Sequence, residues 1–250
     1  MTGASSGIGE AIAHKLGKAG VGMVLVARRK DRLDTIAAKY PNVEVIAADL
    51  TTDSGLNAVL QRLADTVRTP IDLVVNNAGF GTSGSFSDAD PQRLSNEISL
   101  NVNALTRIAH EAVRQMQPRG RGFLLNVSSI ASFQPGPGLA VYAATKAFVT
   151  SLSEAMHEEL RGSGIRVTAL CPGLTHTEFQ SISNTSGLES KFPEFAWMSA
   201  EDVARDGLRA VADGKAICIP GLVNKSLATV STFTPRGLAR RISGLATRLR

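Results

Sequence analysis

Short runs of apolar and β-branched residues alternate with longer amphipathic stretches along almost the whole chain. Typical runs are VGMVLVA at 21–27, IDLVVN at 71–76 and RVTALC at 166–171, and helical patterns separate them. Strands that are apolar at nearly every position are buried on both faces, as in a parallel sheet covered by helices. The alternation therefore predicts a single α/β domain built on a doubly wound parallel sheet.

Composition supports an ordinary globular domain. Of 250 residues, 43% are hydrophobic and 20% are charged, which excludes disordered, collagen-like and coiled-coil proteins. No apolar run reaches the roughly 18 residues that a membrane-spanning helix needs, and no signal segment follows Met1. Cys171 and Cys218 have apolar neighbours, which favours buried thiols in a reducing compartment over a disulfide. Metal-ligand spacing is absent.

The net charge of +5 belongs to one end of the chain. Residues 214–250 hold seven cations and no Asp or Glu, whereas the other 213 residues carry 20 cations and 22 anions. A nearly neutral body with a basic tail does not indicate a nucleic-acid-binding protein.

A glycine-rich turn, TGASSGIG at 2–9, precedes the first helical pattern. Its three glycines let backbone N–H groups approach a pyrophosphate, and the positive end of the helix adds to the attraction. Such a turn is weak evidence alone, because tight loops need glycine for steric reasons too.

Arg28 and Arg29 directly follow the apolar run at 21–27. An acidic residue at this position would bind an adenosine ribose hydroxyl. Two arginines there favour a ribose 2′-phosphate, the group that distinguishes NADP from NAD. The alternative is a pair of solvated arginines, although positive charge at a helix start is mildly unfavourable.

Tyr142 and Lys146 are four residues apart in a long helical pattern, so they lie on one face of that helix. A phenol titrates near pH 10, and we expect the Lys146 ammonium to favour the phenolate. Ser129 follows the run at 122–128, where its hydroxyl can point into the same crevice.

Asn101 lies inside a helical pattern that is predicted to run from Pro91 to Met116. Asparagine is an indifferent helix former, so this residue needs either exposure or a specific partner.

In chain order these elements resemble the short-chain dehydrogenase/reductase family, and the likeness runs from Thr2 to about Ile219. The motifs that carry the resemblance are TGASSGIG at 2–9, Asp49-Leu50, Asn76-Asn77-Ala78-Gly79, Asn101, Ser129, Tyr142-x-x-x-Lys146, and Pro172-Gly173 with Thr177. The resemblance implies a Rossmann-type fold and an NAD(P)-dependent oxidoreductase that interconverts a carbonyl and an alcohol.

The resemblance implies roles for four catalytic residues. Tyr142 would be the general acid in reduction, and Ser129 would hydrogen-bond the carbonyl oxygen. Lys146 would lower the pKa of Tyr142 and bind the nicotinamide ribose. Asn101 would hold a water that links Lys146 to solvent.

The implied coenzyme is NADP(H), with NAD(H) as an alternative. Asp49 would bind adenine, Arg28 or Arg29 the 2′-phosphate, and Thr177 the carboxamide. The full expected set is Gly3, Ser5, Ser6, Gly7, Ile8, Gly9, Arg28, Arg29, Asp49, Leu50, Asn76, Asn77, Ala78, Gly79, Tyr142, Lys146, Pro172, Gly173 and Thr177.

The chain departs from the family at its start, because only Met1 precedes the glycine turn. The family places its first strand there, between the runs at 21–27 and 71–76. Without that strand the neighbours would stand two spacings of about 4.8 Å apart with backbone groups unpaired. We therefore expect the usual first strand to be lacking in this sequence and the native chain to contain upstream residues.

We expect residues 1–221 to form the NAD(P)-binding domain and residues 222–250 to form a basic tail. Within the tail, 235–250 places four aliphatic residues at helical spacing among five arginines: Leu238, Ile242, Leu245 and Leu249. Such a helix suits an anionic membrane surface. The alternative, the commoner use of amphipathic helices, is packing on the domain or on a partner subunit.

The expected function is an NADP(H)-dependent oxidoreductase for a small, apolar or amphiphilic carbonyl or alcohol substrate. The expected lid at 178–198 carries four aromatic residues, Phe179, Phe192, Phe195 and Trp197, which suit such a substrate. The alternatives are a non-catalytic NADP(H)-binding regulatory or scaffold protein, and an enzyme that epimerises its substrate.

By analogy with the family, the two long helices at 91–116 and 141–161 would form the surface of a homodimer or homotetramer. The expected location is the cytoplasm, with peripheral contact at the inner membrane face as an alternative. No nucleic-acid partner is expected.

Overall fold

In the part of the chain that the structure describes, six short parallel strands form the layer on which the other elements pack. The computed structural model describes residues 1–184, 193–235, 237–238 and 240–241. The strands are β1 (Met23–Ala27), β2 (Val43–Ala47), β3 (Leu73–Asn76), β4 (Gly122–Val127), β5 (Ile165–Leu170) and β6 (Ile217–Cys218). β1 pairs with β2, and β3, β4, β5 and β6 pair in that order. The predicted α/β fold with a parallel sheet is confirmed.

Met1 and Thr2 lie between β1 and β3 and connect the two groups of strands. Thr2 N donates to Val75 O at 3.0 Å, and Val26 N donates to Met1 O at 2.9 Å. Met1 and Thr2 thus take the position between β1 and β3 at the carboxyl end of the sheet. No described residue continues this pairing toward the amino ends of β1 and β3.

Helices pack on both faces of the sheet. They are α1 (Gly7–Lys18), α2 (Lys30–Ala37), α3 (Asp53–Ala64), α4 (Pro91–Ile98), α5 (Leu105–Met116), α6 (Ala140–Glu159), α7 (Phe179–Ile182), α8 (Ala200–Ala212) and α9 (Leu222–Phe233). Leu124 of β4 packs in a cluster with residues of α3 and α5, whereas the next residue, Leu125, packs with α1 and α8. Because successive strand residues point to opposite faces, a strand covered on both sides is apolar at consecutive positions.

Two predicted helix starts are present. Asp90 caps α4, accepting from Gln92 N at 3.0 Å, with Pro91 in the first turn. Ser199 caps α8 by accepting from Asp202 N at 3.1 Å, and its hydroxyl donates to the Asp202 carboxylate.

The prediction of one helix over 91–116 is wrong in its middle. A π-helical segment at Ser99–Ala104 separates α4 from α5. It contains Asn101, whose side-chain contacts are described below, and π segments frequently occur at functional sites.

α9 is a helix that the sequence pattern did not predict. Its buried residues are Asn224 and Ala228. Asn224 Nδ2 donates to Pro220 O at 3.0 Å, and the half-buried Ser231 donates from Oγ to Phe133 O at 3.1 Å. The opposite face exposes Leu222 and Phe233, which are 84% and 83% exposed. Most of the predicted helix at 235–250 lies outside the described residues. Within the described part of the chain, no helix has the length and apolarity needed to cross a bilayer.

Candidate active site

A cleft of about 520 Å³ opens at the carboxyl ends of the strands, where ligands of parallel α/β sheets bind. Most of the predicted site residues line it: Gly3, Ser5, Ser6, Gly7, Ile8, Arg28, Arg29, Asp49, Leu50, Asn77, Ala78, Gly79, Ser129, Tyr142, Lys146, Pro172, Gly173 and Thr177. Gly9, Asn76 and Asn101 do not line it.

Gly9 and Asn76 lie behind the cleft surface. A Cβ on Gly9 would stand 2.2 Å from Gly3 O, so glycine there lets the turn close on itself. Asn76 is buried in β3 and donates to Asn126 Oδ1 at 3.0 Å. These two residues support the cleft from within the fold.

The glycine turn is fixed to the end of β3. Asn77 Nδ2 donates to the carbonyls of Thr2 and Gly3 at 3.1 and 3.0 Å. Gly7 has a φ of +58°, and a Cβ there would meet Thr177 Cγ2 at 2.9 Å. Glycine at this position therefore lets the start of α1 lie close to the loop after β5, and both segments line the cleft.

Charged side chains occupy one end of the cleft. Arg29 Nη2 donates to Ser5 Oγ at 3.1 Å and to Ser6 Oγ at 2.8 Å, and Nη1 donates to Glu178 at 2.8 Å. Partial burial of Asp49 would raise the pKa of its carboxyl. Hydrogen bonds from Thr51 and the charge of Arg28 outweigh that effect and hold the pKa below its usual value.

Lys146 is buried at the other end of the cleft and is anchored to β4. Its Nζ donates to Val127 O at 2.8 Å. Ser128 Oγ donates to the Lys146 carbonyl at 2.8 Å and lies 2.7 Å from Thr150 Oγ1, so α6 is held against the end of β4. Burial lowers the pKa of Lys146 to about 8, because a desolvated ammonium loses protons more readily.

Tyr142 lies beside Lys146 and Ser129. The Lys146 Nζ atom is 5.7 Å from the centroid of the Tyr142 ring. Burial raises the pKa of Tyr142 to about 12, while the hydrogen bond with Ser129 opposes that rise and the charge of Glu97 adds to it. In the protein alone the pKa of Tyr142 is therefore shifted upward, which is opposite to the expected direction. The reason is that desolvation of the phenolate outweighs the effect of the nearby ammonium.

Asn101 has the specific partners that its position required. Its Nδ2 donates to Phe80 O at 2.8 Å and to Thr145 Oγ1 at 3.1 Å, and its Oδ1 accepts from Phe80 N at 3.2 Å. A Cβ on Gly79 would lie 2.9 Å from Asn101 Oδ1 and 3.5 Å from Lys146 Nζ. The Asn101 amide and the Lys146 ammonium thus both lie close to Gly79.

Glu97 is a buried carboxyl that sequence reasoning missed. It lies one turn before Asn101, is fully buried, and has neither oxygen in a hydrogen bond of normal geometry. Desolvation raises its pKa, although Thr82, Arg93 and Lys146 oppose the rise. In the sequence Glu97 is one more acidic residue on a helix, and only the packing of α4 beside α6 reveals it.

The fold and the cleft define a dinucleotide-binding α/β protein. A family model described as short chain dehydrogenase matches residues 1–186. The chain belongs to this family and is an oxidoreductase that acts on CH–OH groups with NAD(P).

Relatives agree with this assignment. An uncharacterised oxidoreductase of Staphylococcus epidermidis is 34% identical over 178 residues, which cover 71% of this chain and 77% of the relative. A short-chain dehydrogenase from Sphingobium yanoikuyae, solved in complex with NADPH, is 33% identical with a TM-score of 0.82, covering 94% of this chain and 95% of that one. A bulky-bulky ketone specific alcohol dehydrogenase from Comamonas testosteroni is 31% identical with a TM-score of 0.78, covering 94% of both chains.

The position of Glu97 leads to a prediction about pH dependence. Its negative charge raises the pKa of both Tyr142 and Lys146, so Glu97→Gln should lower both. Alcohol oxidation requires a deprotonated general base, and its kcat/KM rises with pH. In Glu97→Gln the rising limb of the plot of kcat/KM against pH should therefore move to lower pH.

The measurement is the pH profile of kcat/KM for a secondary alcohol that the enzyme oxidises. The control is Glu154→Gln, which removes an exposed carboxylate from α6. If the rising limb of this profile stays in place or moves to higher pH in Glu97→Gln, the electrostatic effect of Glu97 on Tyr142 and Lys146 is contradicted.

Proposed function

We propose that this protein is an NADP(H)-dependent oxidoreductase that interconverts a ketone and a secondary alcohol, with Tyr142 as the general acid and base. The observation that carries this proposal is the meeting of three side chains at one end of the cleft: Tyr142, Ser129 and Lys146. The glycine turn and Arg29 lie at the other end, so a single elongated ligand can reach both.

The residues present fit a nicotinamide dinucleotide. Gly3 and Gly7 would hold the pyrophosphate at the start of α1, Asp49 the adenine, and Pro172 with Thr177 the nicotinamide end. Ser5, Ser6, Ile8, Leu50, Ala78, Gly79 and Gly173 complete the proposed contact surface. Gly9, Asn76 and Asn77 are proposed to shape it from behind or beside the turn. The bound coenzyme supplies or accepts the hydride.

The protein's own part in the reaction is to bind the carbonyl oxygen and to move a proton. A tyrosine with a pKa of about 12 is protonated at neutral pH, so its hydroxyl is available to donate when the carbonyl is reduced. Ser129 Oγ accepts from Ala131 N at 3.1 Å, and its hydroxyl interacts with Tyr142 in the protein alone. We propose that the Ser129 hydrogen turns to the substrate oxygen when the substrate binds.

Lys146 is placed to return the proton to Tyr142. With a pKa of about 8 it exchanges protons near neutrality. One N–H is engaged by Val127 O, and an ammonium has two more. We propose that Lys146 uses these for the ribose hydroxyls and for a water held at Asn101, which lies beside it behind Gly79.

Removal of the phenolic hydroxyl tests the catalytic assignment. Tyr142→Phe should lower kcat by at least about 100-fold, the usual effect of deleting a positioned proton donor. Binding of NADPH, followed by its fluorescence, should stay within about threefold. The matched control is Tyr40→Phe, which changes the other tyrosine of the chain. Full turnover in Tyr142→Phe would refute the proposal.

The preference for NADP(H) is proposed on the placement of Arg28 and Arg29 in the cleft. Serine hydroxyls of the glycine turn hold Arg29, and the Sphingobium relative was solved with NADPH. A guanidinium suits the bidentate binding of a phosphate.

The double variant Arg28→Asp with Arg29→Leu should reduce the ratio of kcat/KM for NADPH over NADH by at least about tenfold. The reason is loss of charge-assisted hydrogen bonds to the 2′-phosphate. Steady-state kinetics with both coenzymes measure this ratio. The control is Arg161→Leu, which removes an exposed arginine just after the end of α6. An unaltered ratio would refute the 2′-phosphate site.

The alternative of a non-catalytic binding or scaffold protein is not favoured. The chain retains Asn101, Ser129, Tyr142 and Lys146, and the last three line one cleft.

We propose an apolar or amphiphilic ketone as the substrate. Phe179 packs against Tyr142 with 5.3 Å between ring centroids, and Phe80, Leu139 and Ile182 also line the cleft. Two other lid aromatics point elsewhere: Phe195 is exposed, and Trp197 stacks on His176. Phe192 lies outside the described residues. The Comamonas relative, specific for bulky-bulky ketones, supports a wide apolar pocket.

We also propose a cytoplasmic homodimer or homotetramer formed through the helices of residues 91–116 and 140–159. Ile98 and Phe148 are partly exposed apolar residues on this surface, as an interface between copies requires.

For the tail we propose that residues 1–221 are the catalytic unit and that 222–250 lies on an anionic membrane surface. The outer face of α9 is apolar and exposed: Leu222, Leu227, Val230 and Phe233. Residues 222–250 contain six cations and no anion, whereas 1–221 contain 21 cations and 22 anions. An apolar face joined to positive charge fits anionic lipid headgroups.

Vesicle binding tests the tail. Val230→Ser with Phe233→Ser should reduce co-sedimentation with vesicles containing phosphatidylglycerol by at least about fivefold, because apolar burial is lost. Phe86→Ser, at an exposed phenylalanine outside the tail, is the control. Equal binding of all three proteins, or equal binding to vesicles of pure phosphatidylcholine, would refute a membrane role.

A further inference from the structure

Glu178 connects the two sides of the cleft at its charged end. It follows Thr177 and precedes α7, on the loop that leaves β5. Its Oε2 accepts from Arg29 Nη1 at 2.8 Å, and its Oε1 accepts from Arg32 Nη1 at 2.6 Å. The arginines belong to the segment after β1, almost 150 residues earlier in the chain.

Four hydrogen bonds hold the Arg29 guanidinium to these neighbours. Its Nε and Nη2 donate to Ser5 Oγ at 3.2 and 3.1 Å, Nη2 also donates to Ser6 Oγ, and Nη1 donates to Glu178. The serines fix the guanidinium beside the glycine turn. Glu178 accepts the hydrogen bond from Nη1.

A carboxylate and a phosphate use the same N–H donors of arginine in the same bidentate geometry. Any phosphate that binds Arg29 at the edge occupied by Glu178 must therefore displace the carboxylate or approach it closely. Two like charges at such a distance repel each other.

Glu178 carries its negative charge at every physiological pH. The hydrogen bonds from Arg32 and Arg29 lower the pKa of its carboxyl to about 2. The nearby guanidinium groups are Arg28, Arg29 and Arg32, and the other carboxyl groups that interact with them are Asp31 and Glu10, with Arg32, and Asp49, with Arg28. Glu178 is the one that contacts the arginines from across the cleft.

We propose that Glu178 is a specificity-determining residue that competes with the coenzyme 2′-phosphate for Arg29. This inference rests on the proposed function, specifically on Arg29 as part of the 2′-phosphate site. Glu178 reduces the advantage of NADPH over NADH, since a ribose 2′-hydroxyl does not carry the charge that the carboxylate opposes. On this proposal a site with several arginines would still accept NADH.

A purely structural role predicts a different result. If Glu178 only ties the loop before α7 to α2, its loss loosens the loop and changes the binding of both coenzymes alike. Competition predicts instead that the two coenzymes respond differently, because only one carries the 2′-phosphate.

The test is the dissociation constant of NADPH and of NADH for the full chain, measured by coenzyme fluorescence in wild type and Glu178→Gln. The amide keeps the size of the side chain and removes its charge. NADPH should bind at least about fivefold more tightly to the variant, and NADH within about twofold of wild type. The NADPH gain should shrink as salt rises, because the interaction is partly exposed and therefore screened.

Glu194→Gln is the matched control. Glu194 is an exposed glutamate of the lid region that pairs with His176 at 3.0 Å and contacts none of the three arginines. It should change neither constant.

An equal change for both coenzymes, no change, or weaker NADPH binding in Glu178→Gln would overturn competition. The Arg28→Asp with Arg29→Leu variant separates this failure from failure of the 2′-phosphate site. If that variant erodes the NADPH preference but Glu178→Gln does not raise it, only the inference about Glu178 is wrong. If the arginine variant leaves the preference unaltered, the 2′-phosphate site itself is wrong.

Discussion

The site depends on one buried ammonium group, that of Lys146, and on its hydrogen bond to Val127 O. Burial of a charge is costly unless hydrogen bonds compensate for lost water, and the pKa of about 8 reflects this desolvation. Ser128 bonds the backbone of the same residue, so Lys146 is tied to the end of β4 through both its side chain and its main chain. Tyr142, one turn earlier on α6, is positioned by the same attachment.

The two ends of the cleft are controlled by different physics. Around Tyr142 and Lys146, burial dominates and moves both pKa values away from their usual range, one upward and one downward. Around Arg29 and Glu178, the side chains are partly exposed and ion pairing dominates. The proposed proton transfer at the first end would therefore be insulated from ionic strength, whereas the proposed recognition of charge at the second would be sensitive to it. The proposed coenzyme would join these environments.

Much of the fold and of the cleft could be predicted from the sequence, because both follow from local patterns. Consecutive apolar residues in β4 and β5 reflect burial on two faces, and residues that follow parallel strands meet at one edge of the sheet. What the sequence could not show depends on contacts between distant segments. The burial of Glu97 follows from the packing of α4 beside α6. The ion pair of Glu178 forms because the loop after β5 reaches Arg29. The desolvation that raises the pKa of Tyr142 likewise depends on the closed packing around it.

The π-helical segment at Ser99–Ala104 has a consequence for how helices are read from sequence. A wide turn holds more residues than an α-helical turn, so the angular phase of α5 is offset from that of α4. A single helical wheel drawn through 91–116 assumes one regular α-helix. It therefore overlays the stripes of α4 and α5, although the two helices differ in angular phase. Deleting one residue from this segment would restore a regular spiral, and the rotation would carry the Asn101 amide away from Phe80 and Thr145. The number of residues in the wide turn thus determines where the Asn101 side chain points, without any change in the chemistry of that side chain.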